Sequence, residues 1–407
     1  MDTIKEKYPL GQDFIPYGRQ CLDDDDLAAV AAVLKSPYLT QGAKVAEFEG
    51  KLAARCGAAR AVAVTNGTAA LHLACLAAGV GPGDEVITSP ITFVASANCA
   101  AYCGARPVFA DIDPESFNLS PEALAAKLNQ NTKAVIPVHF AGQSCDMAAI
   151  RKLVDAATKR FGRKIFVIED ACHALGSTYH GAQVGSCEFS DMAAMSFHPV
   201  KHVTTGEGGA ILTNDPALAK SLDLGRSHGI TKDAAEFQGD PGDFDGPWYY
   251  EQVALGFNYR ITDIQCALGC SQLDKLARFV RRRREIVDAY NAAFSSSELV
   301  ATPLEEPCGC SNFHLYVARF DFDRLGVRRA DFMARLRAQG VGSQVHYIPI
   351  PAQPYYRDTF GSDPAECPNA MAYYRQCLSL PLYPAMDADD VAKVVEAVLG
   401  ELKQGRR

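Results

Sequence analysis

The chain reads as an α/β protein built on a largely parallel sheet, followed by a smaller C-terminal α+β unit. Two patterns predict this. Short, almost wholly apolar runs recur at 61–64, 85–88, 106–109, 132–137 and 165–168, and Ala-rich helical stretches such as 68–78 and 121–128 separate them. Strands apolar on both faces are covered on both faces, and their alternation with helices marks parallel crossover units. From about residue 286 the pattern changes: a β-like run at 313–320, a helix over 329–339 stopped by Gly340, and a closing helix over 387–402. The expected division is a large domain at 1–285 and a small one at 286–407. A length of 407 residues suits such a division.

The remaining elements follow in order. Asp23 to Asp26 precede an apolar helix at 27–34, where carboxylates complement the positive helix end, so the acidic run needs no metal to explain it. Residues 231–247 are rich in Asp and Gly and read as a loop. Thr262-Asp263-Ile264-Gln265 forms a capping box that opens a long helix through Phe279. Arg281 to Arg284 continue that helix and read as a solvated face.

Composition excludes several functions. Forty Lys and Arg against 48 Asp and Glu leave a net charge of −8, the wrong balance for a protein that grips phosphate backbones. No run approaches the ~20 apolar residues of a membrane helix. The start, Met1-Asp2-Thr3-Ile4-Lys5, shows no secretion signal, so the expectation is a soluble, cytoplasmic globular protein with no nucleic-acid or membrane partner. Fourteen cysteines include no Cys-x-x-Cys pair. Cys99/Cys103 and Cys266/Cys270 are spaced as helical neighbours in Ala-rich surroundings and read as small buried hydrophobes, so neither disulfides nor a metal is expected.

Three segments carry chemistry. In the first, residues 61–71, a strand runs through Asn66-Gly67-Thr68 into a helix start. Exposed amides there suit a phosphate, and the same pattern also serves as an ordinary strand-to-helix turn. It is neither a Walker loop nor a dinucleotide fingerprint. The second, 165–173, ends an apolar strand with Glu169-Asp170 and carries His173 three residues on; strand ends in parallel sheets are where ligands bind, and also where strands simply meet solvent. The third places Lys201 between a β-like run and the turn Thr205-Gly206-Glu207-Gly208-Gly209. A lysine desolvated among apolar, Gly and hydroxyl residues has a lowered pKa and suits Schiff-base chemistry. Together the three supply a phosphate anchor, a carboxylate for a ring nitrogen and an amine for an aldehyde, which is the set a pyridoxal phosphate enzyme needs.

These residues resemble a known family. Ser196-Phe197-His198-Pro199-Val200-Lys201 with 205–209, and Gly256-Phe257-Asn258-Tyr259-Arg260, are similar to the motifs of the DegT/DnrJ/StrS sugar aminotransferases. The likeness runs from Ile15-Pro16-Tyr17-Gly18 to the final helix. Tyr38-Leu39-Thr40-Gln41-Gly42, Arg226-Ser227-His228-Gly229 and Gln344-Val345-His346-Tyr347-Ile348-Pro349 bring it nearest to members serving pseudaminic acid synthesis. The resemblance implies a fold-type-I pyridoxal phosphate transferase with a seven-stranded, mostly parallel sheet. It implies transfer of an amino group from glutamate, leaving 2-oxoglutarate, to C4 of a UDP-linked 4-keto-6-deoxy-2-acetamido sugar. The alternative within the family is another nucleotide-linked 4-keto or 3-keto sugar. Lys201 is then the catalytic amine. Asp170 meets the pyridine nitrogen, His173 lies beside the ring, Phe93 covers its other face where many relatives carry Trp, and Gly67, Thr68, Ala69 and Ser196 hold the phosphate. Asn258 reaches the cofactor of a second subunit, which makes a homodimer with shared sites. Tyr17, Tyr38, Leu39, Thr40, Arg260, His346, Tyr347, Ile348 and Pro349 match substrate-contacting positions. Relatives that dehydrate sugars replace the lysine with His, whereas this chain has Lys201.

Overall fold

The structure, a computed structural model, describes residues 14–239 and 246–404. The first thirteen residues, 240–245 of the loop expected at 231–247, and 405–407 lie outside the described residues. Helix α1 (Asp24–Leu34) opens with its acidic turn. Asp26 is buried there because it faces inward: its carboxylate accepts from Asp23 N–H at 3.0 Å and from Gln272 Nε2 at 2.8 Å. Helix α2 (Ala43–Cys56) follows, then β1 (Arg60–Val64), α3 (Gly67–Ala77), β2 (Glu85–Thr88), α4 (Ala95–Tyr102), β3 (Arg106–Phe109), α5 (Pro121–Lys127), β4 (Thr132–Ile136), α6 (Met147–Phe161), β5 (Phe166–Asp170), β6 (Met192–Ser196) and β7 (Gly209–Thr213). These strands form one seven-stranded sheet in the order β1-β7-β6-β5-β4-β2-β3. β2 pairs in parallel with β3 and β4, β4 with β5, and β5 with β6; β7 runs antiparallel to both β6 and β1. The α/β expectation is met, and the apolar runs fall on β1 to β5 with shifts of one or two residues at their ends.

One of those shifts matters. β5 continues through Glu169 and Asp170, so the two carboxylates leave opposite faces of the sheet. Glu169 turns to a buried partner. Its Oε2 lies 2.8 Å from His139 Nε2 and its Oε1 accepts from Ser190 Oγ at 2.5 Å. Cys145 N–H donates to His139 Nδ1 at 3.1 Å, which leaves Nε2 to carry the proton that meets Glu169. Removing one partner strands the other's charge in the interior. We expect His139→Leu to lower the free energy of unfolding by about 3 kcal/mol, read as a fall in the urea midpoint at unchanged slope; a loss below about 1 kcal/mol would show that the pair is dispensable.

Helix α7 (Pro216–Arg226) packs beside α3, and α8 (Asp263–Phe294) then spans both halves of the chain. The Thr262–Gln265 capping box forms as expected, and the helix runs ten residues beyond Arg284, to Phe294. Its first half buries Cys266, Cys270, Leu273 and Leu276 against Phe48 and Leu52 of α2. Its second half buries Ile286, Val287, Tyr290 and Phe294 in a separate cluster with Tyr316, Phe320, Leu380 and Val398. That cluster lies on a three-stranded antiparallel sheet of β8 (Val300–Ala301), β9 (Tyr316–Phe320) and β10 (Cys377–Leu380), with α9 (Arg329–Ala338) and α10 (Ala388–Gln404). Residue 285, where the sequence suggests a division, falls inside α8. The four arginines are not one solvated face. Arg283 is buried at 1% exposure and donates from Nη1 to the carbonyls of Phe313, His314 and Leu382. Arg281 is exposed and Arg282 and Arg284 are half-buried, so of the four only Arg283 turns into the interior, which is where the charge run misleads.

The fourteen cysteines are free thiols, and Cys99, Cys266 and Cys270 are buried among apolar neighbours. Among the described residues no helix is long and apolar enough to cross a membrane.

Candidate active site

A cavity of about 810 Å³ opens beyond the carboxyl ends of β1, β2, β4, β5 and β6, where parallel sheets place ligands. Eleven residues singled out in the sequence line it: Tyr17, Gly67, Thr68, Ala69, Phe93, Asp170, His173, Ser196, Lys201, His346 and Tyr347. They come from positions up to 330 residues apart, and the sheet's parallel order is what gathers them.

One end of the cavity is built by the β1–α3 turn. Asn66 caps α3 by accepting from Ala69 N–H at 2.8 Å, so that amide is spent. Gly67 and Thr68 stand at the first two helical positions, whose amides have no intrahelical acceptor. Two glycines make the approach possible. A Cβ on Gly67 would lie 2.9 Å from Ser196 Cβ, and one on Gly209 would lie 2.5 Å from the backbone carbonyl of Asn66. The ends of β1, β6 and β7 therefore press together around the turn.

At the end of β5, Asp170 Oδ2 accepts from Ser96 Oγ at 2.6 Å and Oδ1 from Cys172 N–H at 3.2 Å. Lys201 reaches the same cavity from the loop after β6. Burial lowers its pKa, with Cys172 and Asp170 pulling it partly back, and no hydrogen bond enters that balance. Such an amine is closer to its nucleophilic, neutral form than an exposed lysine.

The opposite wall is a cluster of mutually tilted imidazoles. His173 accepts from Ala141 N–H at Nδ1 (3.3 Å) and lies 3.3 Å from Tyr347 Oη at Nε2. His314 packs on His173 with ring centroids 4.3 Å apart, and His202 stands behind at 5.5 Å from His314. Burial first, and the Lys201 cation with it, holds His173 well below the usual imidazole range. Asn312 ties the wall together: its Nδ2 donates to the carbonyls of His173 and Leu175, and its own carbonyl meets His202 Nε2 at 3.0 Å.

Seven candidates stand apart from this cavity. Tyr38 and Leu39 are exposed, at 64% and 47%; Thr40 bridges to Thr262; Ile348 is 46% exposed and Pro349 follows it. Asn258 is exposed and bridges to Ser227. Arg260 lines a second cavity, about 290 Å³, with Gln41, Glu49 and Arg226. Thr92, Ser96, His314 and Asn312 join the site without having been singled out. Thr92 and Ser96, hydroxyls four apart in the Phe93 segment, carried a usable signal. His314 and Asn312 did not, because they sit in an extended stretch before β9 that reads as continuous strand.

The comparisons agree with this geometry. Residues 20–399 match the model of the DegT/DnrJ/EryC1/StrS aminotransferase family. The chain is 43% identical over 386 residues to the spore coat polysaccharide biosynthesis protein SpsC of Bacillus subtilis, covering 95% of this chain and 96% of that one. Among solved structures it is similar to the PLP form of the sugar aminotransferase Spr1654 from Streptococcus pneumoniae, at TM-score 0.87 and 29% identity over 96% of this chain and 99% of that one. It is equally similar to Helicobacter pylori PseC, an aminotransferase involved in the biosynthesis of pseudoaminic acid, at TM-score 0.87 and 31% identity over 96% and 99%.

The residues present fit pyridoxal phosphate. Unspent amides at Gly67 and Thr68, pressed against the Ser196 hydroxyl, suit a phosphate; an oriented buried carboxylate suits a pyridine nitrogen; a desolvated amine suits an aldehyde. The chain belongs to the DegT/DnrJ/EryC1/StrS aminotransferase family, as a sugar aminotransferase whose cofactor is pyridoxal phosphate.

Proposed function

We propose that the enzyme moves an amino group from glutamate to C4 of a UDP-linked 4-keto-6-deoxy-2-acetamido sugar. The observation that carries the chemistry is the convergence of Lys201 and Asp170 on one cavity whose far end is an open helix N-terminus. The sugar assignment rests on the likeness to PseC and on the substrate-segment motifs. The higher identity to SpsC favours the second reading, another nucleotide-linked 4-keto or 3-keto sugar made for a polysaccharide.

In this reading Gly67, Thr68 and Ser196 bind the cofactor phosphate, with Ala69 and its capped amide holding the turn. Asp170 accepts from the ring nitrogen and keeps that proton in place, while Phe93 and His173 confine the ring. When bound, the cofactor supplies a carbonyl carbon and an electron sink. Lys201 anchors it through Nζ and, once a donor amine takes that place, carries the proton away from the donor Cα; a positioned base of this kind contributes roughly 10²–10⁴-fold. Tyr17, His346 and Tyr347 face the sugar. A second copy of the chain supplies Asn258 to the phosphate end, and Tyr38, Leu39, Thr40, Arg260, Ile348 and Pro349 meet the nucleotide part of the substrate, which accounts for the exposure of Tyr38, Leu39, Thr40 and Ile348. We place the border of the small C-terminal domain within the second half of α8, and the enzyme in the cytoplasm as a homodimer.

The test is an absorbance spectrum of the cofactor-loaded protein before and after glutamate. A visible band that gives way to a near-ultraviolet one is expected, followed by parallel double-reciprocal lines when glutamate and keto sugar are varied together. A visible band indifferent to glutamate would reject the donor, and intersecting lines would reject the two-stage scheme. Product analysis over a panel of UDP-linked keto sugars then separates the two readings.

A further inference from the structure

Thr92 and Ser96 lie four residues apart where the chain leaves β2 and enters α4, and both are buried at 3% and 0% exposure. Ser96 Oγ is 2.6 Å from Asp170 Oδ2, 2.7 Å from Thr92 Oγ1 and 3.3 Å from the Phe93 carbonyl. A serine hydroxyl has one proton to give, and a carboxylate only accepts. The shortest contact, to the charged acceptor, therefore takes the Ser96 proton. Ser96 Oγ is then left as an acceptor, and the group within reach to fill it is the Thr92 hydroxyl. Donor counting thus fixes the direction of the chain: Thr92 to Ser96 to Asp170. Thr92 also lines the cavity, so the relay begins at its wall and ends on the carboxylate.

We infer that Thr92 and Ser96 are positioning residues for the cofactor, a buried hydroxyl relay that fixes the plane of the Asp170 carboxylate and aims its remaining acceptor capacity at the ring nitrogen. This rests on the reading of Asp170 given above. The relay has a second consequence. Phe93 lies between the two hydroxyls in sequence, so one turn of chain sets both the orientation of the carboxylate and the cover over the ring. A hydroxyl lost from that turn loosens the carboxylate without touching the amine of Lys201 or the phosphate end.

The test uses the full chain stripped of cofactor and titrated with pyridoxal phosphate, following the visible band for affinity and then its midpoint against pH. Ser96→Ala is expected to weaken cofactor binding about tenfold and to shift the pH midpoint by about half a unit. Thr92→Val, nearly isosteric, should shift both in the same direction by less, roughly threefold in affinity. Thr92→Ser keeps the hydroxyl and should restore the wild-type values, which a packing role for the threonine methyl would not do. Wild-type affinity and midpoint in both Ser96→Ala and Thr92→Val overturn the relay. Should Ser96→Ala fail to fold, Thr92→Val decides alone on the same criterion. A wild-type protein that develops no visible band removes the cofactor role of Asp170 itself, and the inference falls with it.

Discussion

Lys201→Arg should lower kcat by at least about 10⁴-fold while the protein stays folded. A guanidinium keeps its proton at any working pH, so it neither attacks a carbonyl nor takes a proton from a donor Cα. Lysine at this position is different because burial lowers its pKa, bringing the neutral amine within reach. Little structural cost accompanies the loss. Hydrogen bonding plays no part in the Lys201 charge balance, and a charged amine inside a cavity is a cost rather than a support. Stability in Lys201→Ala should accordingly match the wild type to within about 0.5 kcal/mol or exceed it. Two further readouts separate lost chemistry from lost fold. The visible cofactor band should be missing in both variants, and a small primary amine added to Lys201→Ala should restore part of the proton transfer, since truncation leaves room in the 810 Å³ cavity. Near-normal turnover in Lys201→Arg would remove the residue from its assigned role.

How much of this was legible in the sequence depends on the kind of signal. Strands β1 to β5 announce themselves because a sheet covered on both faces needs runs of Val, Ile and Ala, and such runs survive without context. The acid at the end of β5, the glycine turn before α3 and the lysine before a Gly-rich loop were legible for the same reason: each is local. Long-range arrangement was not. Arg283 sits in a run of four arginines whose pattern says surface, and only the docking of α8 against two clusters puts it inside. His314 gave no warning, because nothing in 313–320 distinguishes a residue that precedes a strand from one within it. Its place against His173 is created by Asn312, which reaches back about 139 residues to the His173 carbonyl. The exposed candidates show the opposite limit. Tyr38, Leu39 and Asn258 are recognisable by motif, yet one chain gives them no cavity to line. On the proposed reading a second copy completes the site around Asn258 and the nucleotide covers Tyr38 and Leu39, and neither follows from a local rule.

The imidazole wall should make the protein acid-labile in a narrow window. His173, His202 and His314 are each held well below the usual imidazole range by burial first, with neighbouring cations (Lys201, and Arg283 for His202 and His314) adding to it. His346 is lowered to about 3, again by burial and then Lys201. In the unfolded chain all four titrate near the ordinary value of about 6.5. Their folded pKa values are depressed, so between the folded and unfolded values the unfolded state binds more protons, and stability falls as pH falls. It is fully present above about pH 7 and drains as pH drops through 6.5, by about 1.4 kcal/mol per unit for each histidine that stays neutral. Four together give a slope of about 5 kcal/mol per unit below pH 6, against a total that for most domains is about 5–15 kcal/mol. Urea unfolding at pH 8, 7, 6 and 5.5 should therefore show a flat region followed by a steep loss, with cooperative unfolding within roughly two units below neutrality. His314→Phe offers a clean control, since its ring makes tilted ring contacts rather than hydrogen bonds with His173 and His202. That variant should lose about one proton's worth of slope, near 1.4 kcal/mol per unit, and gain stability at low pH. A slope below one proton between pH 6.5 and 5.5 would mean that these histidines take up protons while the protein is still folded.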